Sequence, residues 1–108
     1  MDPSSVLTDL INFRKPLGKI KIDVNKLSWD ENCEVILTEK ILNKIINKYL
    51  NGVISETELI EWANLIESRE SINFEKGKEA QIEETIFNIA NPELSDLPLK
   101  NILEKFRN

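Results

Sequence analysis

The chain has no histidine and only one cysteine, Cys33. The first absence removes the commonest general base and the commonest metal ligand. Together they exclude a zinc site and a Cys–His nucleophile, and a lone thiol has no partner for an intramolecular disulfide. The acidic neighbours Glu31 and Glu34 hold that thiol protonated and inert. Long apolar runs are also missing, so no segment spans a bilayer. The opening Met1-Asp2-Pro3-Ser4-Ser5 carries neither the basic nor the apolar stretch of a secretory leader. A cytoplasmic location is therefore expected.

What is present describes a globular protein. Hydrophobic residues make up 41% and charged residues 31% of 108 positions, a balance that argues against disorder. That length is expected to form one domain, 1–108, with a single core needing no staples. The formal charge of −5 is unevenly placed. Residues 53–99 hold 11 acidic and 3 basic side chains, a local balance of −8. Such a surface repels a nucleic acid backbone, which disfavours DNA or RNA as a partner, and it attracts basic proteins.

Apolar spacing points to a mainly α protein, a bundle of four to five short helices with a minor two-stranded element near 19–24 and 35–37. Residues 5–13 repeat at helical spacing behind Ser4 or Ser5 as N-cap. Lys19-Ile20-Lys21-Ile22-Asp23-Val24 alternates with the strand period, and Val35–Leu37 is its candidate partner. Residues 25–34 read as a loop bearing Trp29.

The clearest feature is a helix–turn–helix hairpin over 38–70. Thr38 caps a first helix whose apolar face is Ile41, Leu42, Ile45, Ile46, Tyr49 and Leu50. Gly52 stops it. Ser55-Glu56-Thr57-Glu58 is a capping box flanked by an Ile54–Leu59 hydrophobic staple, and Leu59, Trp62, Ala63 and Ile66 form the next apolar stripe. So short a connection predicts antiparallel neighbours. Residues 71–77 read as a connector, 78–90 as a third helix ended by Asn91-Pro92, and a short final helix follows Pro98, opened by Ser95 or Asp96 and presenting Leu99, Ile102, Leu103 and Phe106.

Candidate sites are few. From Asn47 to Glu58 the hairpin junction mimics a calcium loop, but Tyr49 stands where an oxygen ligand is required, and the capping box accounts for Glu58 without metal. No cofactor, metal or catalytic group is expected. The many glutamates read as solvated helix faces, and a chain this short offers little wall for a catalytic cleft. Trp62 belongs to the core. Trp29, beside Asp30 and Glu31, is either a cover for the helical core or an anchor for a partner. The expected partner-binding residues are Trp29, Asp30, Glu58, Glu61, Glu67 and Glu70.

Two likenesses bear on function. Trp29-Asp30, Leu37-Thr38, Tyr49-Leu50-Asn51-Gly52-Val53-Ile54-Ser55, Glu61-Trp62-Ala63-Asn64-Leu65-Ile66-Glu67-Ser68-Arg69-Glu70 and Ile86-Phe87-Asn88-Ile89-Ala90-Asn91-Pro92-Glu93 together resemble a family of small, mostly uncharacterised bacterial helical proteins. That resemblance implies a shape over 29–94 and no catalytic residues. In size, acidity and helix content the chain is also similar in general type to bacterial toxin-immunity proteins. This implies an acidic protein-binding module, an immunity protein or inhibitor of a basic, nuclease-type toxin, and not an enzyme. A structural or regulatory subunit, homodimeric in one version, stays open beside it, as does the oligomeric state.

Overall fold

In a computed structural model, residues 3–26, 35–68, 72–94 and 98–104 are described. They form six helices: α1 (Pro3–Asn12), α2 (Leu17–Asn25), α3 (Glu39–Leu50), α4 (Glu56–Glu67), α5 (Glu79–Ala90) and α6 (Leu99–Leu103). Two three-residue strands, β1 (Val35–Leu37) and β2 (Ile72–Phe74), pair in parallel with Val35 opposite Ile72 and Leu37 opposite Phe74. Parallel strands need a crossover, and the α3–α4 hairpin lies within it. All six helices and both strands send side chains into one buried cluster.

The hairpin closes as its sequence requires. The Thr38 hydroxyl accepts the Ile41 N–H at 3.1 Å. At the other end of α3, Val53 N–H donates to Lys48 C=O at 2.8 Å and Gly52 N–H to Tyr49 C=O at 3.0 Å, the paired bonds of a Schellman turn. That turn needs a left-handed residue, and Gly52 supplies it with φ +79°. Both bonds of the capping box are made: Glu58 N–H to Ser55 Oγ at 3.1 Å, and Ser55 N–H to Glu58 Oε1 at 2.9 Å. Ile54 and Leu59, the staple pair, are both buried. The Glu56 carboxylate lies beside the Tyr49 hydroxyl across the turn. α4 nevertheless finds its most extensive partner in α5, not in α3.

Three sequence expectations are corrected. Residues 19–24 are helical, inside α2. Their alternation misleads because Ile20 and Val24 are also four apart, and Leu17 lies three before Ile20; these three are buried while Ile22 turns outward at 57% exposure. A strand would have left Leu17 without a place in the core. The strand partner of Val35–Leu37 is instead Ile72–Phe74, inside the expected connector, where three residues are too few to show a period. Ser4 and Ser5 do not precede α1, which begins at Pro3 and fits the fixed φ of proline in a first turn.

α1 ends without glycine. Arg14 N–H donates to Asp9 C=O at 3.0 Å and Phe13 N–H to Leu10 C=O at 3.1 Å, again a Schellman pair. The left-handed residue is Phe13, with φ +52°. Its side chain is buried, so core contact offsets a backbone cost of about 1–2 kcal/mol. Across the same turn Lys15 Nζ bridges Asp9 (3.3 Å) on α1 and Asp23 (3.8 Å) on α2. Trp62 ties α4 to α1: its ring is fully buried and Nε1 donates to Leu10 C=O at 2.7 Å.

Candidate functional site: the anionic helix pair and the groove beside α3

The outward faces of α4 and α5 carry one sign of charge. α4 holds Glu56, Glu58, Glu61 and Glu67, and α5 holds Glu79, Glu83 and Glu84; neither helix contains Lys or Arg. Folding thus packs two anionic helices against each other through apolar stripes, Leu59–Trp62–Ala63–Ile66 on one and Ile82–Ile86–Ile89–Ala90 on the other. With one helix turn every 3.6 residues, Glu58 and Glu61 lie about 60° apart around α4, and Glu67 is about 120° from Glu61. The acidic side chains therefore spread across the solvent side rather than converge on a point.

The expected partner-binding residues divide by what already holds them. Glu58 is engaged in the capping box. Glu61 Oε2 meets Lys21 Nζ of α2 at 2.7 Å, with both side chains 41% exposed. Glu67 is exposed at the end of α4 and forms no ion pair among the described residues. Trp29, Asp30 and Glu70 lie outside the described residues, as do Cys33, Ser95, Asp96 and Phe106. The Lys21–Glu61 pair was invisible in the sequence because 19–24 read as a strand, with Lys21 on no helix. Glu83 and Glu84, both exposed, belong to the same anionic surface and were legible only as generic solvated glutamates.

Two grooves flank α3. One, of about 290 Å³, runs between α3 and α5, with Leu42 and Ile82 as apolar floor, Glu39 and Glu84 among its walls, and Gln81, Thr85 and Asn88 completing the lining. Its α5 residues, Gln81, Glu84, Thr85 and Asn88, follow the i, i+3, i+4, i+7 pattern of a polar stripe, a sequence signal passed over in favour of the apolar one. The Thr85 hydroxyl donates to Gln81 C=O at 2.9 Å and keeps lone pairs for a donor. The other groove, of about 630 Å³, is lined by Lys40, Lys44, Asn12, Asn43 and Asn47 among others, with Glu75 and Lys78 at its edge and Glu39 common to both grooves.

Glu75 joins sheet to helix at that edge. Its N–H donates to Leu37 C=O at 3.0 Å, and its Oε1 accepts the Glu39 N–H at 2.9 Å, so a carboxylate supplements Thr38 at the α3 N-terminus. Lys78 Nζ lies 3.1 Å from Glu39 Oε2. Burial raises the Tyr49 pKa, and the adjacent Glu56 carboxylate raises it further.

No described helix is long and apolar enough to cross a membrane, and no cluster of three potential metal-ligating side chains occurs among the described residues. Compared with protein-family models, curated proteins and solved structures, the chain matches none of them.

Proposed function

We propose that this chain is an acidic protein-binding module whose docking face is the solvent side of α4 and α5, and whose partner is a basic protein. The observation that carries the reading is the placement of seven glutamates, with no lysine or arginine, on two helices packed side by side. Such a face steers a cationic partner during encounter and rejects anionic ones. In its sharper form the module is an immunity protein, covering the basic substrate-binding surface of a nuclease-type toxin as a substitute for the phosphate backbone. Glu67, Glu83 and Glu84 are the glutamates best placed for this, because Glu58 and Glu61 already serve the chain itself.

The test compares the immobilised wild-type chain with a variant carrying Glu67→Lys and Glu83→Lys. Wild type should retain basic proteins at low ionic strength and release them as salt rises past the range where surface charges are screened, about 0.1–0.5 M. The charge-reversed variant should retain far less. Equal retention by the two chains contradicts the docking face. The immunity reading adds that co-expression protects a host from a basic nuclease toxin encoded beside the gene.

A further inference from the structure

The groove between α3 and α5 opens next to the anionic face and differs from it by having a floor. Leu42 and Ile82, both buried, supply that floor, while Glu39 and Glu84 place carboxylates on opposite helices. Thr85 and Asn88 add a hydroxyl and an amide carbonyl. Apolar floor, acidic walls and neutral acceptors together match an amphipathic cation, with methylenes below and a charged, multiply donating head above. At about 290 Å³ the space is at the lower limit of small-molecule pockets, roughly 300–1,000 Å³, and suits one long side chain better than a drug-sized ligand.

We infer that this groove receives an arginine side chain of the basic partner, which rests on the docking reading above and gives it an anchor. Arginine fits better than lysine because its five N–H donors meet acceptors spread over two helices, whereas an ammonium offers three from one point. Glu84 is the uncompensated charge: it forms no ion pair among the described residues, whereas Glu39 already holds Lys78 at 3.1 Å. An anchor seated in a concave site is also where binding energy concentrates, since the open glutamates around it are screened by water.

The probe is the tripeptide Gly-Arg-Gly, with Gly-citrulline-Gly as its neutral isostere, titrated into the full-length protein and followed by amide NMR. The arginine peptide should move the amides of Leu42, Glu84, Thr85 and Asn88, and the citrulline peptide should not. Glu84→Gln should weaken binding by up to about fivefold, the scale of one partly exposed ion pair. Thr85→Lys, which puts a cation in the groove, should abolish it, and Glu93→Gln, at an exposed position outside the groove lining, should leave it unchanged. Equal responses to the two peptides, or shifts confined to α4, overturn the inference. If the groove amides stay still while basic proteins are retained as above, the anchor falls and the docking face stands; if neither binding is seen, both fall.

Discussion

α3 and α4 are two versions of one helix with opposite outsides. Each is 12 residues long, and each buries four residues at three- and four-residue spacing: Leu42, Ile45, Ile46 and Leu50 in one, Leu59, Trp62, Ala63 and Ile66 in the other. Both begin at a hydroxyl N-cap whose oxygen accepts a backbone N–H. Outside, α3 carries Lys40, Lys44 and Lys48 against Glu39, whereas α4 carries four glutamates and no cation. The core asks only for apolar side chains at helical spacing, so it constrains the two inner faces alike and leaves the outer faces free. Glu58 and Glu61 also serve the fold, through the capping box and the bridge to Lys21, so the α4 charge that the fold does not need is that of Glu67, and function is best sought there.

The comparison breaks most completely from the inside. Trp62→Ala removes the largest buried side chain and one of the two hydrogen bonds to the Leu10 carbonyl, so chemical denaturation should report a loss of about 3–5 kcal/mol. A loss under about 1 kcal/mol would mean α4 is not seated as described. The join is the next weakest point. At Gly52 an added Cβ meets nothing within 4 Å, so Gly52→Ala costs only the left-handed backbone, about 1–2 kcal/mol. A neutral result would show that the turn can relax away from φ +79°.

A smaller effect depends on pH. The Tyr49 pKa is higher folded than unfolded, so the folded chain holds the proton more tightly. Stability is then fully present below the unfolded value of 10.0 and declines as pH rises through the folded one. Tyr49→Phe should flatten that alkaline decline in a pH series of melting curves; an unchanged decline assigns it elsewhere. Least of all should Glu67→Gln and Glu83→Gln alter folding, within about 0.5 kcal/mol, while they lower retention of basic proteins. A large loss of stability from either would make the glutamates structural and erase the contrast between inner and outer faces.

The hairpin was legible because its signals are local. Thr38, Gly52, the Ser55–Glu58 box and the Ile54–Leu59 staple act within a few residues of themselves; the caps and the Gly52 turn form, and both staple residues are buried. Phe13 shows the limit of that reading. It closes α1 by the same pair of bonds that Gly52 uses for α3, yet nothing local marks a phenylalanine as left-handed; burial from elsewhere in the chain holds it there. Residues 19–24 fail for a related reason, since Ile20 and Val24 satisfy both periods and only the core contact of Leu17 decides between them. The β1–β2 pairing and the Glu75 cap on α3 join residues more than thirty apart, beyond any window of periodicity. The acidic half was visible as a charge count. That its glutamates sit on two adjacent helices, with Glu61 tied to Lys21 and Glu84 on a groove, needed the fold.

The most direct test of the docking face sets the α4–α5 pair against α3. Glu67→Lys with Glu83→Lys, and separately Lys44→Glu with Lys48→Glu, are compared with wild type for association with a basic partner protein by surface plasmon resonance at low salt. The account expects the first pair to slow association by tenfold or more, a scale set by electrostatic steering, and the second to leave it unchanged or faster. Equal association by all three proteins would contradict it.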